Sequence, residues 1–366
     1  MSGVEESGLE PVGSVAPVLA ASVGHGSQLS YLSRLALAPP HANLLVGPPG
    51  SGLDDVARRF IAAVLCPDHG CGHCRTCTRV MSMAHPDVFE VEPEGASILV
   101  EQAREIVRRV NVAPIEAGRA VVLIHDIDRL NETAANKLLK TMEEPPPGTV
   151  IVGHTSSPQD VLITIRSRCV GSNLAPLTSQ EISTALLDDG VDADAVADAV
   201  AASGGSLDRA RRLAGPYRDL RRLALDLPAR LRPYGASAGR LSAEITDAVD
   251  AAVDGLGEQH AGEIAKLRTD IEAAGYPPRV AATMERSLEN RQKRLVTQAR
   301  IEALGEVFAG VLASVSNRLA NGEISPEIAD GWFSSTEQTQ RVFTETPSVR
   351  TSLMLDAWLL RCPPLG

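Results

Sequence analysis

A chain of 366 residues, with 44% hydrophobic and 22% charged residues, is long enough for two or three domains that each bury a core. Its formal net charge of −11 argues against a protein that binds nucleic acid over its whole surface, but it does not exclude a local basic patch. No apolar stretch reaches the roughly 18 residues of a membrane span, and the acidic N-terminus, rich in Gly and Pro, is unlike a secretory signal. We therefore expect a cytoplasmic protein whose residues 1–22 are disordered.

Strand-like and helix-like segments alternate up to residue 175. Apolar runs or strict alternation predict strands over 42–47, 86–93, 120–127 and 148–157. Helical spacing of apolar residues predicts helices over 54–65, 98–110 and 131–144. Asn131 is a suitable N-cap for the last of these helices. Strands that alternate with helices indicate a parallel α/β sheet, which we assign to residues 23–175.

No strand is predicted after residue 176. Residues 176–215 contain three short helical patterns, which indicate a small helical lid domain. Residues 216–366 have long helical periodicities that predict an all-α domain. These helices either form a self-contained bundle or present a face to partner helices, and periodicity alone favours the self-contained bundle.

The segment "GPPGSGLDD" (47–55) has the glycines of a phosphate-binding loop between a predicted strand and a predicted helix. Such a loop binds nucleotide through backbone N–H groups, a Lys that reaches the outer phosphates, and a hydroxyl that holds Mg²⁺. Leu53 and Asp54 stand where the Lys and the hydroxyl are needed. A carboxylate about 4 Å from a phosphate costs on the order of 4 kcal/mol at an effective dielectric constant near 20. The degenerate loop comprises Gly47, Gly50, Gly52, Leu53 and Asp54. The alternative is an ordinary turn that matches the pattern by chance.

A second part of an ATPase site is also altered. Such enzymes carry an acidic pair at the end of a buried strand, which holds Mg²⁺ and orients water. Here His125 and Asp126 end the predicted strand, and a neutral His is a poor ligand for Mg²⁺. These two residues are either a degraded metal site or ordinary strand-end residues with local hydrogen bonds. The simultaneous change in the loop favours the degraded site.

Four cysteines lie close together in the sequence "CPDHGCGHCRTC". Their spacing, C-x4-C-x2-C-x2-C, is typical of a tetrahedral Zn²⁺ site, and disulfides are rare in cytosolic proteins. His69 and His73 could replace a ligand, but four cysteines already fill the site, so the zinc is expected to be structural. The predicted ligands are Cys66, Cys71, Cys74 and Cys77.

Arg166 and Arg168 lie in the segment "TIRSRC" (164–169), after the last predicted strand. Arginines in such a position are usually surface residues. The functional alternative is an arginine that projects into the phosphate site of a neighbouring subunit and stabilises the charge of the transition state.

Taken together, these segments resemble the clamp-loader branch of the AAA+ family, the subunits of bacterial DNA polymerase III that load the sliding clamp. The resemblance is carried by the Gly loop, the cysteine cluster and the segments 84–95, 136–156 and 165–169, in the order of the family. They cover most of residues 41–175, and the C-terminal 150 residues or so match only in being helical.

The resemblance implies an AAA+ P-loop-type α/β domain with a zinc module at 66–77, a helical lid and a C-terminal collar that mediates oligomerisation. Hydrolysing gamma/tau subunits keep the Lys, the Thr and the acidic pair that this chain lacks. Arg168 matches the arginine finger that is offered in trans to ATP on a neighbouring gamma/tau subunit. The chain would therefore bind structural zinc but not ATP, and would have no intrinsic catalysis.

The partners that the resemblance implies are the gamma/tau and delta subunits and, through the assembled complex, the sliding clamp and primer-template DNA. One alternative is an ATP-binding subunit of the gamma/tau type, against which Leu53 and Asp54 argue directly. Another is a zinc-dependent DNA-binding module. It would need a clustered basic face, whereas the arginines here are interleaved with apolar residues. We see no carboxylate constellation of a polymerase or nuclease.

Overall fold

The computed structural model describes residues 15–93, 95, 97–233, 237–274, 278–345 and 350–365. Of the segment expected to be disordered, residues 1–14 lie outside this described part. Residues 15–22 instead include helix α1 (Pro17–Ala20), in which Val18 and Leu19 are buried. The chain divides into two compact units, Met1–Arg211 and Arg212–Gly366.

The first unit contains the predicted alternation of strands and helices. Strands β1 to β5 span Ala42–Val46, Val88–Val91, Ala120–Ile124, Thr149–Thr155 and Val170–Asn173. Helices α2 to α6 span Gly26–Leu37, Leu53–Leu65, Arg75–Met81, Val100–Val110 and Glu132–Glu143. Helices α7 to α10 span Ile163–Arg166, Ser179–Asp188, Ala193–Ser203 and Leu207–Ala214. The four predicted strands and three predicted helices are thus confirmed, whereas β5, α1, α2 and α4 were missed.

Within the described residues, the strands form one parallel sheet in the order β2-β3-β4-β1-β5. Successive residues of β3 point to opposite faces, so Val121 and Leu123 join the core beneath α1–α4. Val122 and Ile124 join the core beneath α5 and α6. The continuous apolar run of β3 follows from this burial on both faces. At the N-terminus of α6, Asn131 Oδ1 accepts a hydrogen bond of 2.8 Å from the Ala134 amide, as predicted for an N-cap.

The second unit is helical in its described part. Helices α11 to α15 span Arg218–Arg230, Ala238–Ala274, Pro278–Ala320, Pro326–Glu345 and Thr351–Arg361. Its core includes Phe308, Trp332 and Trp358, whose rings pack edge to face. Each buried indole has a hydrogen-bond acceptor: Thr336 Oγ1 lies 3.1 Å from Trp358 Nε1, and the Pro363 carbonyl lies 2.9 Å from Trp332 Nε1. No helix in the described ranges has the length and apolarity needed to cross a membrane.

Helices α11 and α13 approach closely because α13 carries a glycine at the contact. A Cβ atom placed on Gly310 would lie 2.7 Å from the Cβ of Ala224 on α11. At Gly305, one and a half turns earlier in the same helix, an added Cβ would meet no described atom within 4 Å. The two glycines therefore differ in packing while sharing the same helical backbone.

We predict that Gly310→Ala destabilises the second unit, because overpacking costs about 1–3 kcal/mol and outweighs a gain in helix propensity of about 1 kcal/mol. Gly305→Ala is the matched control and should stabilise by about 0.5–1 kcal/mol. The two tryptophans of the chain both belong to this unit, so their fluorescence in a denaturant titration measures its free energy of unfolding. Equal stability of the two variants would contradict the packing argument.

Candidate functional site

The Gly loop connects β1 to α3 and is covered on one side by the start of α10. Gly52 takes a left-handed conformation (φ 80°) and caps α3. A Cβ atom on Gly50 would lie 1.7 Å from Ser206 Oγ, and the Leu207 amide donates a 3.0 Å hydrogen bond to the Gly50 carbonyl. His25 Nε2 donates to the Ser51 carbonyl at 2.7 Å. Contacts with His25, Ser206 and Leu207 therefore fix the position of the Gly loop.

The two carboxylates at the start of α3 already have partners. Asp54 Oδ2 lies 2.9 Å from Arg58 Nη1, and Asp54 Oδ1 lies 3.2 Å from His125 Nδ1. Burial opposes the ionisation of Asp54, but the positive groups of His125 and Arg58 outweigh it and lower the pKa of this carboxyl. Asp55 pairs with Arg59 at 2.7 Å and accepts a hydrogen bond from Ser22. Negative charge therefore occupies the N-terminal end of α3, where the helix dipole favours it.

Two histidines and a glutamate extend this cluster across the carboxyl ends of the strands. His125 follows β3, His154 lies in β4, and Glu90 lies in β2. His154 Nε2 is 3.0 Å from His125 Nδ1 and 3.8 Å from Asp54 Oδ1. Glu90 Oε2 is 3.3 Å from His125 Nε2. Parallel strands end at a common edge, which explains why residues distant in sequence meet here.

The two histidines have opposite pKa shifts. Burial of His125 opposes protonation, but the neighbouring Asp54 and Glu90 outweigh it and raise its pKa to about 9. Burial of His154, together with the positive charge of His125, lowers the pKa of His154 to about 4. At neutral pH the cluster therefore holds one positive imidazole beside a neutral one.

The structure brings only one residue of the predicted strand-end pair to the Gly loop. His125 faces Asp54, whereas Asp126 adopts a left-handed conformation (φ 46°) and its Oδ2 lies 3.7 Å from Arg129 Nε. Sequence reasoning missed His154 and Glu90. The signal for His154 was an imidazole that directly follows the apolar run Val150–Val152 and Gly153 in β4, and Glu90 carried no comparable signal.

A small pocket lies beside the Gly loop. It has a volume of about 160 Å³, below the roughly 300–1,000 Å³ of typical ligand pockets. Asp55 and Asp208 are among its lining residues. Arg59 and Arg211 balance these two carboxylates, so the size of the pocket rather than its charge is unfavourable for a nucleotide triphosphate.

The four cysteines converge at the end of α3 and the start of α4. Cys66 Sγ lies 3.8 Å from Cys71 Sγ and 3.7 Å from Cys74 Sγ, and all four Sγ atoms lie within 4.8 Å of one another. Tetrahedral zinc with Zn–S bonds of about 2.3 Å requires S···S distances of about 3.8 Å. The positions of the sulfur atoms therefore fit Zn²⁺.

The local backbone supports a thiolate at Cys66. Burial opposes its ionisation, but the amides of Cys71, Gly70 and Asp68 outweigh it and lower its pKa to about 7. His73 Nδ1 is engaged with the Cys71 carbonyl at 3.0 Å. Neither His69 nor His73 belongs to a potential metal cluster within the described residues, so the cysteines are the ligand set that the geometry favours.

Arg168 lies just after α7 and is held by its neighbours. Its guanidinium pairs with Glu143, the last residue of α6, and donates a 2.8 Å hydrogen bond to the Thr164 carbonyl. About a third of the side chain stays exposed. Arg166, two residues earlier, is exposed and contacts the Pro158 carbonyl at 3.4 Å. The two arginines thus differ in how firmly they are positioned.

Comparison with known proteins found relatives for the first unit. Residues 35–178 match the family model described as DNA polymerase III, delta subunit. The delta' subunit of DNA polymerase III from Pseudomonas aeruginosa is 38% identical over 186 residues, which are 48% of this chain and 56% of that protein. The corresponding subunit from Escherichia coli is 38% identical over 146 residues, which are 38% of this chain and 44% of that protein.

A second kind of DNA polymerase III subunit also matches. DNA polymerase III subunit tau from Bacillus subtilis is 34% identical over 146 residues, which are 39% of this chain and 26% of that protein. The chain spans about half the length of the delta' relatives described above. The resemblance drawn from the motifs is thus confirmed, because residues 35–178 match the DNA polymerase III, delta subunit model and part of the chain resembles delta' subunits of bacterial DNA polymerase III.

Proposed function

We propose that this chain is a delta'-like subunit of the DNA polymerase III clamp loader that does not hydrolyse ATP itself. Together with gamma/tau and delta subunits it would help to load the sliding clamp onto primer-template DNA. The observation that carries the proposal is Asp54, a carboxylate at the phosphate position of the Gly loop within a segment that matches delta' sequences. Residues 23–175 would be the AAA+ domain, 176–215 the lid, and 216–366 the collar.

Loss of nucleotide binding is the first part of this proposal. Asp54 supplies negative charge where a phosphate would lie, and its pairs with Arg58 and His125 stabilise the carboxylate in place. Ser206 lies against Gly50 and narrows the space above the loop. Leu53 is buried and supplies no charge. These features oppose ATP binding through both electrostatics and shape.

We expect no binding of a fluorescent ATP analogue with Mg²⁺ to the purified chain up to about 1 mM, a free energy of only about −4 kcal/mol. Equilibrium titration followed by fluorescence anisotropy measures this directly, with a gamma/tau subunit as the positive control. Micromolar binding to the chain would show that Leu53 and Asp54 are tolerated. It would favour a nucleotide-binding subunit instead.

Structural zinc is the second part of the proposal. The four sulfur atoms have the spacing of a tetrahedral site, and the cluster packs on the core beneath α3. No open coordination position would remain, so the metal would fix the fold around residues 66–77 and would not take part in catalysis. It would also support α1, because the Val18 amide donates a 2.8 Å hydrogen bond to the Gly70 carbonyl within this segment.

We predict that Cys74→Ser removes one equivalent of tightly bound zinc and lowers the melting temperature of the first unit, because zinc binding is coupled to folding. Cys169→Ser is the matched control, since Cys169 lies outside the cluster. Metal analysis after dialysis, together with thermal unfolding, measures both effects. Equal zinc contents in wild type and Cys74→Ser would refute zinc binding at this cluster.

The arginine finger is the third part of the proposal. Arg168 would reach the ATP of a neighbouring gamma/tau subunit and stabilise the charge of the transferring phosphoryl group. The pair with Glu143 would orient the guanidinium before the neighbour binds. A planar guanidinium with two anchored nitrogens loses less rotational freedom when it meets a phosphate than a mobile side chain would.

In the reconstituted complex with gamma/tau and delta subunits, Arg168→Ala should slow ATP hydrolysis by about 10³-fold or more, the range known for such arginines. Arg166→Ala is the matched control and should change turnover little, because Arg166 lacks the pair with Glu143. Arg168→Lys should restore little activity, since Lys cannot reproduce the planar fork. Unchanged ATPase turnover and clamp loading with Arg168→Ala would rule out the finger.

The second candidate is an ATP-binding subunit of the gamma/tau type. It is favoured by the 34% identity to the tau subunit of B. subtilis. The altered residues Leu53, Asp54 and His125 oppose it, and the ATP titration described above distinguishes the two functions.

A further inference from the structure

Three possible metal-ligand atoms converge at the carboxyl edge of the sheet. They are Asp54 Oδ1, His125 Nδ1 and His154 Nε2, and they lie 3.0, 3.2 and 3.8 Å from one another. The side chains come from three elements: the first turn of α3, the end of β3, and β4. Both histidine side chains are about 10% exposed, so the rings are fixed by packing.

The hydrogen bonds within this cluster are incomplete. His125 Nε2 faces Glu90 Oε2 at 3.3 Å, so its N–H is directed away from Asp54. Asp54 Oδ1 is buried and has no hydrogen-bond donor in acceptable geometry among the described residues. A proton on His125 Nδ1 can point to His154 or to Asp54, but not well to both. One acceptor therefore remains unsatisfied, which is costly for a buried carboxylate oxygen.

A metal ion at the centre of the three atoms would release the proton of His125 Nδ1 to solvent, because a ligating imidazole must be neutral, and would bind all three atoms at once. Tetrahedral coordination with bonds of about 2.0–2.2 Å places ligand atoms about 3.3–3.5 Å apart, close to the distances observed. Glu90 would hold His125 from behind, as carboxylates commonly do for metal-bound histidines. Arg58 would hold the second oxygen of Asp54, 2.9 Å from its guanidinium.

We propose that Asp54, His125 and His154 form a binding site for a divalent transition-metal ion, distinct from the cysteine cluster. Two imidazoles and one carboxylate favour Zn²⁺ or Fe²⁺ over Mg²⁺, which prefers an all-oxygen set. The Asp54 side chain is 45% exposed, so a water molecule can complete the coordination on the solvent side. The site does not depend on the proposed role in clamp loading.

The test uses Zn²⁺ and the full chain, stripped with a chelator and reloaded with one equivalent of zinc to fill the cysteine cluster. Isothermal titration calorimetry should then detect a further ion with micromolar or tighter affinity. His154→Gln and Asp54→Asn should each weaken this event by about 100-fold or more, since loss of an outer-shell partner alone costs about 10–100-fold. Glu90→Gln should show this smaller loss.

Glu92→Gln is the matched control. Glu90, Glu92 and His125 form a second possible cluster, in which His125 would use its other ring nitrogen. In the proposed site Glu92 is not a ligand, so Glu92→Gln should bind zinc like wild type. If His154→Gln does not fold, Asp54→Asn still tests the site, because Asp54 is partly exposed. If the cysteines bind no zinc, any zinc binding that calorimetry detects is still assigned to a site by comparing these variants with wild type.

Three results would overturn the proposal. In the first, the wild type binds no second zinc ion below about 1 mM that the His154→Gln and Asp54→Asn variants fail to bind. All variants could bind zinc equally, which would indicate adventitious surface sites. Finally, Glu92→Gln could abolish binding while Asp54→Asn retains it, which would place the ion on the opposite side of the His125 ring.

Discussion

Burial of both faces of the parallel sheet determines where polar side chains can lie in the first unit. Helices α1–α4 cover one face and α5 and α6 cover the other, so the strand interiors are apolar. Polar side chains gather where the strands end, and α3 begins at the same edge. In nucleotide-binding proteins this arrangement exposes amides to a phosphate. Here the same edge holds carboxylates and imidazoles that bind one another.

The charged residues at this edge of the sheet attract one another. An Asp in place of the loop hydroxyl would be destabilising beside an acidic pair at the end of β3, because like charges would repel. With His125 at the strand end, Asp54 instead meets a group of opposite charge at 3.2 Å. His154 and Glu90 complete the set from the two strands adjacent to β3 in the sheet. The residues of the loop and of the strand end are thus electrostatically compatible with each other.

Much of the first unit could be predicted from local sequence patterns. The apolar run of β3 predicted a strand that is buried on both faces, and the structure agrees. Asn131 was predicted to cap α6 because the first amides of a helix lack partners within it, and the structure shows that cap. Strand β5 was missed because it lies at the sheet edge with three of its four residues exposed, so it lacks an apolar run. Helix α1 was missed because four residues are too few for periodicity.

Only some residues of the candidate site could be predicted, because the others come from neighbouring strands. His125 follows a recognisable strand, but its partners Glu90 and His154 come from neighbouring strands, and strand order cannot be read from spacing. Asp126 was expected beside His125, yet its left-handed backbone turns the chain and places its carboxylate near Arg129. The cysteine cluster was predictable because all four cysteines lie within twelve consecutive residues.

The pair between Arg168 and Glu143 also has a consequence for selectivity between anions. A guanidinium that is already bound to a carboxylate is released only to an anion that competes successfully with that carboxylate. A terminal phosphate carries more charge than Glu143, whereas chloride or an isolated surface carboxylate offers no advantage. For the proposed finger, an incoming phosphate would have to displace Glu143 from the guanidinium, and an exposed pair of this kind opposes that exchange by only about 0–1 kcal/mol.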